Sequence, residues 1–193
     1  MRRRLLDATI ACVLDLGWAQ TSTPEICKRA GVSRGAQLHH FPTKAELVIT
    51  AVEHLYAQRI EEFRRAFAAL PAKADPAVAS IDLLWPMFSG PTFSVTLELL
   101  VAARTDPELR QAVAAMDRRL LDQVDQMFTE LFPTSAVPAD VFALVPYVAF
   151  AVMQWLAIGQ ILHPHDPKER EHRDNMLQLL KALAPLAFAT RQP

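Results

Sequence analysis

Glycine and cysteine are both scarce in this chain, with five and two residues in 193. Few glycines leave no room for a glycine-rich phosphate loop, and the two cysteines, Cys12 and Cys27, cannot make a disulfide framework. Each sits in an apolar pattern of helical spacing and reads as a buried free thiol of a reducing compartment. Net charge is also small, −1, so no global basic field draws the chain to nucleic acid. No nucleophile stands with a partner base and no pair of catalytic carboxylates stands out, so an enzyme is not expected. Asp7 and Asp15 interrupt any apolar run near the start, so no secretory leader is expected and a cytoplasmic protein is. His163, His165, Asp166 and His172 are spaced poorly for a metal, and His39 and His40 point about 100° apart on a helix. Neither a metal nor a cofactor is expected.

What the chain does have is helical periodicity. Apolar residues recur at three-to-four spacing almost throughout and the prolines gather at joints, which predicts an all-α fold of about nine helices. The small net charge hides an asymmetry. Residues 1 to 50 carry seven Lys/Arg against four acids, and the remainder thirteen against seventeen. Basic character therefore coincides with the most informative segment, residues 22 to 47.

In that segment Ser22 and Glu25 have the spacing of a capping box, with Pro24 in the first turn, where a missing N–H costs little. Gly31 suits the left-handed end of this helix, Val32 turns inward, and Ser33 can cap a short helix from Arg34 to about His40. Pro42 stops it, and Thr43 with Glu46 starts another around Lys44. Two short helices joined by a turn of about three residues form a helix-turn-helix, a DNA-reading motif. A first helix over about Arg3 to Leu16, with Leu6, Ile10, Val13 and Leu14 on one face, ends at Gly17. The expected division is a DNA-binding domain over 1–50 and a larger domain over 51–193.

These residues resemble the TetR family of transcriptional regulators. The resemblance lies in residues 5 to 52: Gly17 followed by an aromatic, Thr21-Ser22, Ile26, Ala30 to Ser33, Gly35, and His39 to Lys44 with Leu47. It implies a three-helix DNA-binding domain, a C-terminal effector-binding and dimerisation domain, and control of transcription by an inducer.

In a helix-turn-helix the N-terminal part of the second helix meets base edges. Arg34, Gly35, Ala36, Gln37 and His39 are the expected base readers: Arg34 toward guanine, Gly35 for close approach, the Ala36 methyl toward thymine. Thr23, Ser33, His40 and Lys44 are expected to hold phosphate, supported by helix N-termini. The family commonly has Leu then Tyr where this chain has Gln37 and Leu38. The Leu packs in the motif core and the Tyr bonds a phosphate, which Leu38 cannot do. Gln37 falls four residues before Phe41 on a face that should point inward. A small rotation, with Leu38 taking the core contact, would let it pair with adenine.

Beyond Pro71, Asp-Pro steps at 75–76, 106–107 and 166–167 open further helices. Pro86 and the Ser89-Gly90-Pro91 turn close the first of these, and one apolar helix runs from Pro138 or Ala139 to Leu162. Val141 to Leu162 contains no charge over 22 residues, enough to span a bilayer. Pro146, Gln154, Gly159 and Gln160 inside it, and an amphipathic helix after it, favour a buried helix over a membrane span. The family resemblance places a homodimer interface on the last two helices, where Ala149, Ala157 and Gly159 would permit close approach. Trp85, Phe88, Phe93, Leu97, Leu100, Met116, Phe128, Phe150, Met153 and Trp155 are the candidate lining of an effector pocket, with Glu98, Arg104, Gln123 and Gln154 to orient a ligand. The expected protein is a ligand-responsive repressor that binds palindromic double-stranded operator DNA as a homodimer and is released by a small, largely apolar effector. The rival is a helical small-molecule carrier or membrane-associated protein that does not bind DNA.

Overall fold

The computed structural model describes residues 1–134 and 136–188. Within them the chain forms α1 (Arg2–Gln20), α2 (Thr23–Ala30), α3 (Arg34–His40), α4 (Lys44–Ala68), α5 (Pro76–Phe88), α6 (Pro91–Ala103), α7 (Pro107–Leu131), the four-residue α8 (Ala139–Phe142), α9 (Val145–Leu162) and α10 (Pro167–Ala187). No strand occurs among the described residues. The all-α expectation holds, and its punctuation is the one the sequence implies. Asp75 accepts hydrogen bonds from the amides of Ala77 and Val78, Asp106 from Leu109, and Asp166 from Lys168. Each carboxylate thus satisfies amides that the first turn of its helix leaves without partners.

Two prolines act differently from the expectation. Of the two stops expected for α5, the Ser89-Gly90-Pro91 turn ends it, whereas Pro86 lies inside the helix, which runs on to Phe88. A proline this near the end deletes only one backbone bond. Pro146 divides the long apolar helix instead: it occupies the first turn of α9, cannot donate to the Phe142 carbonyl, and leaves a turn at Ala143–Leu144 between α8 and α9. The stretch Ala139–Leu162 is nonetheless long and apolar enough to cross a membrane by length and composition, with an 18-residue window of mean hydropathy 2.0.

The chain divides into two compact units, Met1–Arg59 with Pro91–Leu121 and Ile60–Gly90 with Asp122–Pro193. The expected boundary at residue 50 does not coincide with this division. The first unit has two apolar clusters. One joins Leu5, Leu6, Cys12, Ile26, Ala30, Phe41, Leu47 and Ala51, the core of a three-helix head. The other packs Val13, Val48 and Val52 against Val95, Leu99, Leu109, Val113 and Met116. Because α1 and α4 are apolar on a second side, α6 and the first part of α7 are needed to cover them. Leu14, expected inward, is 41% exposed, and Leu5 and Cys12 hold the core positions on α1. In the second unit α5, α9 and α10 pack on one another, burying Ile81, Phe88, Ala149, Met153, Leu156 and Ala157.

Gly17 breaks the regular course of α1 with φ 73° and ψ 170°, a conformation essentially confined to glycine. The break is tied down on three sides. Thr21 donates to the Gly17 carbonyl from both its amide and its hydroxyl. The Trp18 amide donates to Glu98 Oε2 at 3.0 Å, and a Cβ on Gly17 would lie 3.1 Å from that same oxygen. Gly17→Ala is expected to lower the unfolding free energy by about 1–3 kcal/mol. Urea denaturation checks this, and an unchanged midpoint would show that the bend is not strained for other residues.

Candidate nucleic-acid interface

The turn between α2 and α3 is built as its residues dictate. Ser22 caps α2 by accepting from the Glu25 amide. Gly31 takes φ 62° and ψ 42°, its amide bonds the Lys28 carbonyl, and the Val32 amide bonds that of Cys27. Carbonyls at the end of α2 are thereby satisfied by a left-handed glycine. Ser33 Oγ then accepts from the Ala36 amide at 3.2 Å and starts α3.

Which side chains α3 presents is decided by Gln37, which is wholly buried. Its Nε2 donates to the Phe41 carbonyl at 2.5 Å, while the Phe41 amide donates to the Gln37 carbonyl at 2.8 Å. The expectation that Gln37 reads bases is therefore corrected. The helix is not rotated to bring Leu38 inward: Leu38 is 47% exposed, and the glutamine fills the core position with its amide bonded internally. Arg34, Gly35 and His39 are exposed, whereas Ala36 and His40 are half-buried. Arg34 has no ion pair or hydrogen bond among the described residues, in contrast to Arg29, which bonds Asp15 at 2.5 Å and Glu25 at 3.0 Å. Those two bonds, Asp15 first, hold the Arg29 guanidinium further up than its ordinary value.

Of the expected phosphate ligands, Ser33 is exposed and Thr23 and His40 are half-buried. Lys44 departs from the expectation of a free surface cation. Its Nζ donates to the Trp18 carbonyl at 2.5 Å and lies 4.0 Å from the centre of the Trp18 ring. Burial pushes its pKa down, and Asp106 opposes the shift. This lysine ties the start of α4 to the end of α1. Thr43 beside it is exposed and caps the Glu46 amide at 3.1 Å.

The candidate effector residues do not converge. Phe128 and Phe150 line an apolar cavity of about 60 Å³ in the second unit, together with Phe63, Ile81, Leu84, Met127, Phe132 and Ala149. Phe88 packs edge-on to Phe150 at 5.3 Å, and Met153 is fully buried. Trp85 and Leu97 are half-buried. Phe93 is buried in the first unit and Met116 is part of its core, so neither joins this cavity. Leu100 and Trp155 are 48% and 68% exposed and face solvent. Glu98, expected near a ligand, is the partner of the Trp18 amide. The small residues chosen for a dimer interface are likewise corrected. Ala149 and Ala157 are buried inside the chain's own packing, and a Cβ on Gly159 would overlap the Glu169 carboxylate, so that glycine serves contact between α9 and α10. The exposed large apolar residues on these helices are Val148, Trp155, Ile161 and Leu162, and Leu179, Leu183 and Leu186.

A capped two-helix unit on a three-helix core, with an unpaired arginine leading its second helix, defines a helix-turn-helix DNA-binding head. Residues 5–51 match the model of the family described as "Bacterial regulatory proteins, tetR family". Over 178 residues the chain is 29% identical to the HTH-type transcriptional regulator CymR of Pseudomonas putida, covering 92% of this chain and 88% of that one. An uncharacterised HTH-type transcriptional regulator of Mycobacterium tuberculosis is 29% identical over 177 residues, 92% and 90% of the two chains. A solved transcriptional regulator from Rhodococcus sp. Rha1 superposes with a TM-score of 0.70 at 23% identity, over 98% of both chains. FadR from Bacillus subtilis, in complex with stearoyl-CoA, gives 0.68 at 17% identity over 94% of this chain and 98% of that one. Residues 5–51 thus carry the helix-turn-helix domain of the TetR family, and over most of its length the chain is similar to DNA-binding transcriptional regulators and not to enzymes.

The missed features, Gln37 bonded to Phe41 and Lys44 turned onto Trp18, share a signal in the sequence. Gln37 precedes Phe41 by one helical turn, and Lys44 has an aromatic residue within the same head. Gln37→Leu exchanges an internal bond for removal of the buried, unpartnered Gln37 Oε1. It is expected to change stability by no more than about 1 kcal/mol and to leave the preferred DNA sequence unchanged. Sequence selection with both proteins checks this, and an altered preference would return Gln37 to the reading surface.

Proposed function

We propose that this chain is a cytoplasmic, ligand-responsive repressor that binds a palindromic operator as a homodimer and is released by a small, largely apolar effector. The observation that carries the reading is the exposed face of α3 led by unpaired Arg34. Arg34 reads guanine or holds a phosphate, Gly35 lets the helix approach, and His39 reaches base or backbone. Ser33, Thr23, His40 and the amides at the start of α4 position the phosphates.

Dimerisation is supported by spacing. Val148, Trp155 and Leu162 recur every seventh residue on α9, and Leu179, Leu183 and Leu186 stand at i, i+4 and i+7 on α10. Two apolar seams on neighbouring helices fit a four-helix interface with a second copy. A twofold dimer offers two α3 helices to the two halves of a symmetric site. The effector reading is supported by the largely apolar lining of this second-unit cavity. At about 60 Å³ it is far below the several hundred Å³ that a ligand occupies, so an effector seated in this cavity would part the helices around it. That requirement gives the ligand a preference for one arrangement over another, which is the condition for control. Because α4 contributes residues to both units, it is the element through which such a rearrangement would reach the head.

The reading makes two expectations. Arg34→Ala should reduce discrimination between the selected operator and a guanine-substituted one by roughly 5- to 150-fold, measured by fluorescence anisotropy at several salt concentrations. Equal discrimination by both proteins would remove Arg34 from base reading. Trp155→Glu places a charge in the seam and should give a monomer in light scattering, with operator affinity falling together with dimer content. A wild-type chain that is monomeric in buffer but partitions into lipid vesicles would favour the membrane-associated alternative.

A further inference from the structure

The rotation of α3 places an apolar side chain where a DNA-reading helix would ordinarily carry a polar one. At about 100° per residue, the buried Gln37 and the half-buried Ala36 and His40 mark the inward side. Gly35 and Leu38 lie opposite them, within about 60° of one another, and Arg34 and His39 flank the pair. The middle of the presented face thus consists of a glycine, around which a Cβ would meet nothing within 4 Å, and a leucine that is 47% exposed. We infer that Leu38 is a specificity-determining residue that reads the C5-methyl group of a thymine in each operator half-site.

The chemistry of the major groove supports this choice. Its base edges offer hydrogen-bond donors and acceptors and a single apolar feature, the thymine methyl. An isobutyl group laid over N7, O6, O4 or an exocyclic amine would remove water from a polar atom and supply nothing in exchange. Against a methyl group the same contact is favourable. A phosphate role is excluded because Leu38 has no donor, and a core role is excluded because Gln37 holds the core position. Ala36, expected from sequence to touch a thymine, is half-buried on the inward side, and the bare Gly35 beside Leu38 leaves room for the methyl to approach.

The inference rests on the proposed DNA-binding reading and can fail separately from it. The full-length protein is used to select its operator from random duplexes, and each thymine is then replaced by deoxyuridine, which lacks only the methyl. For the wild type, one symmetry-related thymine per half-site should lose roughly fourfold in affinity per methyl removed. Leu38→Ala should bind the thymine operator more weakly and be indifferent to that replacement. An enriched operator with no deoxyuridine-sensitive position, or the same loss persisting in Leu38→Ala, would overturn the inference while leaving DNA binding intact. Failure to enrich any sequence would overturn both.

Discussion

The orientation of α3 follows which of its residues fills the core, and that residue is Gln37. In a seven-residue helix the carbonyls without an internal partner are about four, more than half of the total, and they need partners from elsewhere. Pro42 follows immediately and has no N–H to give. The Gln37 side chain supplies the donor to the Phe41 carbonyl, so the glutamine satisfies that oxygen while it fills the core. An apolar residue at 37 would fill the same space but leave the carbonyl to water. The exposed positions, Arg34, Gly35, Leu38 and His39, are those that lie away from this core position.

A second set of bonds fixes the head against α6 within the first unit. The bend at Gly17 frees the Trp18 amide from the helix, and Glu98 accepts from it. The Trp18 carbonyl takes the Lys44 ammonium, whose charge also lies over the indole ring, a geometry that is favourable when partly desolvated. Two charged side chains are thus committed to one residue's backbone from opposite sides. Tyr56 and Arg119 extend this fastening along α4: Tyr56 bonds Thr96 at 2.8 Å, and Arg119 pairs with Glu53. The surface ion pair contributes little by itself. The hydrogen bonds to backbone amide and carbonyl matter more, because a bent helix leaves such groups without internal partners.

The head was largely legible from sequence because its signals are local. Capping residues, a left-handed glycine and a terminating proline each act within four positions, so Ser22, Gly31, Ser33 and Pro42 could be placed without tertiary knowledge. Gln37 was not settled by the same rules, since its burial is decided by the hydrogen bond to Phe41 and not by polarity. Lys44 was misread for a related reason: a lysine near a helix start looks like a phosphate ligand until a particular carbonyl is found beside it. The effector candidates were the least legible. Aromatic residues at helical spacing announce a core, but which of two cores they join depends on long-range packing, and Phe93 and Met116 went to one while Phe128 and Phe150 went to the other.

The most apolar segment shows why composition and placement have to be weighed together. Ala139–Leu162 passes a length-and-hydropathy test for a membrane span, yet its exposed residues are not spread around the helix. Ala149, Met153, Leu156 and Ala157 are covered by the chain's own packing, and Gly159 allows the Glu169 carboxylate to come close. What is left outward on α9 is an apolar strip that includes Val148, Trp155, Ile161 and Leu162, with a second strip on α10, whose first turns carry Lys168, Glu169, Arg170 and Glu171. A lipid-facing helix needs no such charged neighbour and no single seam, whereas a contact with another folded helix pair requires both a narrow apolar strip and a polar margin. The same apolarity that suggests a bilayer when read as a sum fits the proposed second copy when read by position.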